Sequence, residues 1–413
     1  MGTLFILNCI ILSIFSIWYL KKVCNPLSNY SIGFILASIF FIQESYLGNL
    51  FKEKGFFFLM IGTLIFIGSF LFILFFKKRI KIRYVYNLKT VNLLINLTIF
   101  LSIFLLFLSL YEVLNFSGNI KNILFNSSSI RNQYLSREGN FLISFFGNIS
   151  NMTILILSCL FPIGYSNKLK NINIKFVLVI LLRLFLSIVT MSKDSFLIFL
   201  IIILVSFTEN ISKRSLEIRF LIKKGIYFIG VVVILLLVIA LQRSYIGIRY
   251  SSYTEAVLKT IGKYLYLPLE AFSRLIEITN NLEETKGIYS FRPIFNILSY
   301  LGIAERVSII QNAVALNSAN VYTMFGTMYR DFKEVGIILI SILYGIFCGS
   351  LYSKYNQRKL SKVYINSLVG MVLFFSYYDF KFIQTVYIIS IFYAIILEKV
   401  LFSKLYVTKK FMK

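Results

Sequence analysis

The sequence predicts an all-α polytopic membrane protein of about eleven (10–12) transmembrane helices, and three observations predict it. Of 413 residues, 58% are hydrophobic and only 15% charged, with a mean hydropathy of +0.81, where a soluble chain carries about a quarter charged residues. Apolar runs recur at close to the ~20 residues that a helix needs to cross bilayer hydrocarbon. The 43 Lys and Arg exceed the 17 Asp and Glu, yet they gather in alternate loops. A soluble globular enzyme, a disordered chain and a disulfide scaffold are excluded. The absence of histidine removes the commonest metal ligand and the commonest neutral-pH acid–base group.

The expected spans lie near 4–20, 31–43, 55–76, 91–111, 141–164, 176–191, 195–208, 226–242, 335–352, 363–378 and 383–399. Each is an apolar window bounded by charged or polar residues. Cys9, Cys24, Cys159 and Cys348 fall in or beside these windows without Cys-x-x-Cys spacing, so neither a zinc site nor a disulfide framework is indicated. Residues 1–242 read as an N-terminal bundle of about eight spans, 243–333 as one large external loop, and 334–413 as about three spans with a basic tail.

Orientation follows from charge. Lys21 and Lys22, the run from Lys77 to Lys89, the basic residues of 168–175 and 213–224, and those of 354–362 and 399–413 all fall on one side. By the positive-inside rule that side is cytoplasmic, which places the N-terminus outside and the C-terminus inside. The basic residues are thus topological and not a nucleic-acid footprint. Lys21 and Lys22 follow the first span, which reads as a retained anchor and not as a cleaved signal.

Within 243–333, Val257, Leu258, Ile261, Tyr264 and Leu265 follow helical spacing, Pro268 interrupts, and Leu269, Phe272, Leu275 and Ile276 resume it. A broken pair of amphipathic helices on the membrane interface is expected. A further helix begins at Pro293 and runs through Ile297, Leu298 and Leu301, with another near 307–314. A second external loop, 112–140, is polar and carries Arg131, Tyr134, Arg137 and Glu138.

The chain's aspartates, Asp194, Asp331 and Asp379, all map to external ends of spans. On that face lie Lys193, Lys381, Arg131, Arg137, Arg243, Arg249, Arg292, Arg306 and Arg330, cations that point to an anionic ligand such as a lipid-linked pyrophosphate. The stretch Asn320-Val-Tyr-Thr-Met-Phe-Gly-Thr-Met-Tyr-Arg-Asp-Phe-Lys-Glu-Val-Gly336 collects Asn320, Tyr322, Thr323, Tyr329, Arg330 and Asp331 ahead of a span. Asp331 with Glu334 also imitates a capping box. Ser192-Lys193-Asp194-Ser195 forms a polar turn. Arg183 sits inside a span, where a charge marks either function or a buried pair. No Gly-x4-Gly-Lys-Ser/Thr loop and no Asp-x-Asp is present, so neither nucleotide hydrolysis through that loop nor a metal-dependent nucleotide-sugar site is indicated. GxxxG-like spacings signal helix packing.

About a dozen spans, one long external loop before the last few, and the Asn320–Gly336 stretch closing it resemble the bacterial oligosaccharide repeat-unit polymerases, the O-antigen polymerase (Wzy-type) family. Lys193 stands where relatives commonly carry arginine. The resemblance implies a lipid-linked glycosyltransferase (GT-C-like) architecture and a transfer outside the inner membrane. There a growing glycan leaves undecaprenyl pyrophosphate for a hydroxyl of the next lipid-linked repeat unit, in an O-antigen (lipopolysaccharide) or capsule pathway. It implies Arg131, Arg137, Lys193, Arg243, Arg249 and Arg330 on the pyrophosphate, Asp331 or Asp194 for the acceptor proton, and Asn320, Tyr322 and Thr323 as sugar or phosphate contacts. It implies no metal and no cofactor. The implied partners are the lipid-linked oligosaccharide and, beside it, a chain-length regulator (polysaccharide co-polymerase) and a flippase. Two alternatives remain: an O-antigen ligase, which uses an external-loop histidine that this chain lacks, and a lipid-linked oligosaccharide flippase, whose polar groups would line its spans.

Overall fold

A computed structural model describes residues 1–20, 22–44, 49–76, 88–117, 141–159, 170–190, 193–210, 230, 253–278, 284–307, 321–353 and 360–401. Among these every regular element is helical: α1 Gly2–Leu20, α2 Pro26–Glu44, α3 Asn49–Phe76, α4 Leu88–Ser117, α5 Phe141–Ser158, α6 Lys170–Val189, α7 Lys193–Asn210, α8 Tyr253–Ile278, α9 Arg292–Tyr300, α10 Met324–Ser353, α11 Leu360–Phe374 and α12 Thr385–Leu401. Two 3-10 turns, Phe375–Tyr377 and Lys381–Ile383, separate α11 from α12. Five of the described helices, α1, α2, α3, α4 and α10, are long and apolar enough to cross a membrane. The chain is a polytopic helical membrane protein. The expected span at 226–242 lies outside the described residues, Gly230 excepted.

Contacts divide the chain into two units. The first comprises Met1–Ile82, Gly262–Gln357 and Leu368–Phe392. Its axis is the pairing of α3 with α10. That approach rests on Gly345 and Gly349, spaced as GxxxG. A Cβ at Gly345 would lie 2.5 Å from the Phe66 carbonyl oxygen and one at Gly349 2.9 Å from that of Phe70, so only glycine lets the two backbones meet. Aromatic side chains fill the remainder, with Tyr30 against Phe66 at 5.6 Å between centroids and Phe34 against Phe325 at 6.2 Å. The Tyr30 hydroxyl shares a 2.8 Å hydrogen bond with Thr63, which satisfies both polar groups inside the helix pair.

α2 starts at Pro26, five residues ahead of the expected span. Asn25 caps it, its side-chain oxygen accepting from Leu27 N–H at 3.0 Å and Ser28 N–H at 2.9 Å, with proline following as the first helical residue. α10 also departs from expectation. It begins at Met324, not near 335, and is two helices joined at Phe332 (φ −145, ψ 22) and Lys333 (φ 48, ψ −136). A lysine at positive φ is strained backbone, held there by its surroundings.

α8 is one continuous helix with Pro268 inside it, where the sequence reading expected a break. Proline removes a single backbone donor, and burial of Pro268, Leu269, Phe272, Leu275 and Ile276 favours the uninterrupted helix. α9 begins as expected, with proline in its first turn. The helical stretch expected near 307–314 lies outside the described residues, Val307 excepted. α4 runs on to Ser117, so the first residues of the polar loop expected from 112 are helical, and the rest of that loop lies outside the described residues.

The second unit comprises Arg83–Ile261, Arg358–Ser367 and Tyr393–Lys413. α4 packs on α5 and α6, and α7 on α5 and α6. Arg183 of α6 is 4% exposed, and its Nη2 donates to the Asn151 side-chain oxygen of α5 at 2.5 Å. Lys175 of α6 reaches Asn92 at 2.7 Å and Asn96 at 2.9 Å on α4. Ser361 donates to Glu398 Oε2 through its backbone N–H at 2.9 Å and its hydroxyl at 2.6 Å. Across both units Cys9, Cys24, Cys159 and Cys348 are buried thiols that form no disulfide.

Candidate functional site

The polar residues of the first unit gather where α9, the break in α10 and the 3-10 turns before α12 come together. Asp331, 0% exposed, stands at the end of the first half of α10. Its Oδ1 accepts from the Thr285 hydroxyl at 2.5 Å and from Tyr289 N–H at 3.2 Å, and its Oδ2 from Ser290 N–H at 2.6 Å. Its backbone carbonyl accepts from Lys286 N–H at 3.2 Å. The capping box expected from Asp331 and Glu334 does not form. Asp331 serves the 285–290 turn instead, and Glu334 accepts from the Tyr329 hydroxyl at 3.3 Å.

The 285–290 turn reverses through Lys286 (φ 48) and Gly287 (φ 91). A side chain at Gly287 would be strained by that φ and would crowd Phe291 and Phe332. The Tyr344 hydroxyl donates to the Ser290 carbonyl, and the Tyr344 ring stacks on Phe380 at 4.2 Å between centroids.

Directly after the turn comes Arg292. Its Nε donates to the Val307 carbonyl at 3.0 Å. Burial lowers the pKa of this guanidinium, Asp379 acts to raise it, and Arg306 adds to the lowering. Asn296, one turn further along α9, accepts from Val307 N–H at 2.8 Å and donates to Thr385 at 3.4 Å, which ties α9 to the start of α12.

Asp379 lies between the two 3-10 turns. Its Oδ2 accepts from Gln384 Nε2 at 2.9 Å and pairs with Lys381 at 3.4 Å. Lys381 is 3% exposed, with its ammonium 5.7 Å from the Phe375 ring centroid and 5.3 Å from that of Tyr378. A buried ammonium needs such partners, because desolvating it alone is costly.

Tyr322 and Thr323 precede α10 and are buried. Burial pushes the Tyr322 phenol above its ordinary value, Arg330 opposes that rise, and Tyr289 adds to it. Among the described residues the Tyr322 hydroxyl, Thr323 Oγ1, Ser290 Oγ and Arg292 Nη1 are buried without a hydrogen-bond partner.

Of the site residues expected from sequence, the structure places Asp331, Arg330, Tyr322 and Thr323 in the first unit and Arg183 in the second. The expectations for Arg131, Tyr134, Arg137, Arg243, Arg249 and Asn320 fall outside the described residues. Lys193 and Asp194 are described only as the first residues of α7. Sequence reasoning passed over Thr285, Tyr289, Ser290, Tyr344 and Gln384, which are ordinary residue types without a motif. It noted Arg292, Arg306, Asp379 and Lys381 as external charges without assigning them to a site. Among the described residues no three His, Cys, Asp or Glu come together as metal ligands.

No family model matches the sequence, and no solved structure matches the fold. A curated relative does match, over 57% of this chain and 59% of its own length, so the aligned part spans about three fifths of that relative. Over 246 residues the chain is similar, at 27% identity, to an O-antigen polymerase of Shigella dysenteriae, the kind of protein its span pattern resembles.

Proposed function

We propose that this protein joins undecaprenyl-pyrophosphate-linked oligosaccharide repeat units into a surface polysaccharide, O-antigen or capsule, at the outer face of the bacterial inner membrane. The similarity to an O-antigen polymerase carries this reading. The gathering of Asp331, Asp379, Arg292 and Lys381 around the break in α10 and the turns before α12 supports it, since clustered ionisable groups with perturbed surroundings mark functional sites. About eleven spans, with the N-terminus outside and the C-terminus inside, complete the proposal.

In this reaction the bond between the anomeric carbon of the growing glycan and the carrier pyrophosphate breaks. A bond from that carbon to a hydroxyl of the next repeat unit forms, and the hydroxyl proton passes to a base. The departing pyrophosphate needs cations, for which we propose Arg131, Arg137, Lys193, Arg243, Arg249 and Arg330, with Arg292 added from the geometry. Asn320, Tyr322 and Thr323 are proposed as sugar or phosphate contacts. Asp194 and Asp331 are the carboxylates that the sequence singles out for the proton. The chemistry needs no metal in this scheme, and a chain-length regulator and a flippase would work beside it.

The test is to supply the purified protein in lipid vesicles with its undecaprenyl-pyrophosphate repeat unit, without nucleotide or metal, and to resolve the products on a gel. A ladder of lengthening glycans is expected. Movement of the lipid between leaflets with no ladder would replace this reading with the flippase.

A further inference from the structure

Asp331 does not have the surroundings of a group waiting for a proton. Three of the about four acceptor positions of a carboxylate are filled, by Thr285 Oγ1 and the N–H groups of Tyr289 and Ser290. Thr285 Oγ1 also lies 3.3 Å from the Arg330 carbonyl, and Lys286 N–H donates to the Asp331 carbonyl. All of these contacts fall on one turn, and Tyr344 also holds its Ser290 end by donating to the Ser290 carbonyl. Within the turn, which has two residues at positive φ, the backbone hydrogen bonds are Ile288 N–H to the Thr285 carbonyl and Phe291 N–H to the Gly287 carbonyl, so Asp331 supplies at least as many bonds to it as its own backbone does.

This clamp sets Ser290 and, two residues on, Arg292. Ser290 Oγ and Arg292 Nη1 are buried polar atoms without a partner among the described residues, as are the Tyr322 hydroxyl and Thr323 Oγ1. Ser290, Tyr322 and Thr323 are each more than nine-tenths buried. Native structures seldom leave such groups unpaired, and hydroxyls with a guanidinium suit a ligand rich in hydroxyl and anionic oxygen.

We propose that Asp331 is a positioning residue, fastening the 285–290 turn to the break in α10 so that Ser290 and Arg292, with Tyr322 and Thr323, form the polar lining that binds the glycan substrate. This rests on the polymerase reading for the identity of the ligand and moves Asp331 away from proton transfer. The protein's scarce acid then acts through the turn it holds.

The test uses the full chain in vesicles, with Asp331→Asn and Thr285→Val. Asparagine presents an N–H where the carboxylate took one from Ser290 or Tyr289, and valine removes the hydroxyl donor while keeping its shape. Hydrogen exchange is read first, because it does not depend on turnover. Exchange at 285–292 should quicken about tenfold or more in both variants, as it does when local protection is lost, while α3 and α10 stay protected. With the lipid-linked repeat unit, KM should rise about tenfold or more in both variants, and the acid limb of the kcat profile should remain in Asp331→Asn.

The proposal is overturned if exchange at 285–292 is unchanged. It is equally overturned if Asp331→Asn alone loses about 10²–10⁴ in kcat and the acid limb with KM intact, as removal of a general base would do. If the wild-type protein makes no glycan, the polymerase reading fails by itself, and the exchange result still decides whether Asp331 holds the turn.

Discussion

Arg183 of α6, 4% exposed, donates to Asn151 of α5 at 2.5 Å. That geometry makes the buried charge a partner in helix packing. A hydrogen bond to a charged group contributes about 1.5–3 kcal/mol. Asn151→Leu should therefore lower stability by about that amount, and Arg183→Leu/Asn151→Leu should recover part of the loss. Thermal unfolding of the four proteins in detergent, arranged as a double-mutant cycle, measures the coupling. Equal and additive losses would separate the two residues. A role for Arg183 on the substrate path requires that Arg183→Leu also reduce glycan synthesis in protein that remains folded.

Gly345 and Gly349 carry the contact of α10 with α3. Replacing either with alanine brings a Cβ within 2.5 or 2.9 Å of a carbonyl oxygen on α3. Overpacking of this kind costs about 1–3 kcal/mol. The melting temperature of Gly345→Ala should fall more than that of Gly68→Ala, since a Cβ at Gly68 meets nothing within 4 Å.

Asp379, part-buried, pairs with buried Lys381 on the short linker between α11 and α12. Breaking such a pair from one side costs about 3–5 kcal/mol, because the remaining charge stays buried. Lys381 keeps its two aromatic neighbours, so Asp379→Ala should fall at the lower end of that range. Asp379→Ala/Lys381→Met should melt higher than Asp379→Ala. A double variant no more stable than the single one would refute the pairing.

Tyr322 gives a pH dependence with a definite sign. Its folded-state pKa is raised, chiefly by burial, so the unfolded chain releases the phenolic proton first as pH rises. The stability that this group contributes is present below its ordinary pKa of about 10 and declines as pH rises beyond that value. Tyr322→Phe should flatten part of the alkaline decline relative to wild type. Chemical unfolding between about pH 8 and 11 reads the difference.

Arg292 is proposed to meet the ligand with its free Nη1. Arg292→Lys keeps the charge and loses the planar fork, so KM for the lipid-linked repeat unit should rise about tenfold. Arg292→Ala should raise it further. An unchanged KM in both variants would take Arg292 out of the ligand site.

Much of the fold was legible because a membrane helix is encoded by local composition. The apolar runs at 4–20, 55–76 and 91–111 became α1, α3 and α4, each with a bound or two shifted. Asn25-Pro26 was a readable start for α2, but a window that scores only apolar residues begins too late. Pro268 signals a break because a lost hydrogen bond is a local cost, whereas the burial that outweighs it is a tertiary gain. The break in α10 left no mark in sequence, since Phe332 and Lys333 are not residues that favour it.

The sequence by itself determined that lipid is the solvent, that the described elements are helices, and that the rare acids and a set of cations stand at the ends of apolar runs. Those follow from composition and spacing, which any stretch of chain carries alone. Only the tertiary structure decided that Asp331 reaches back to Thr285, Tyr289 and Ser290, and that Arg292 feels the charge of Asp379. A hydrogen-bonding group states what it needs and not which partner will meet it. The choice is made when α3 closes on α10 and when the 3-10 turns before α12 are packed beneath α9.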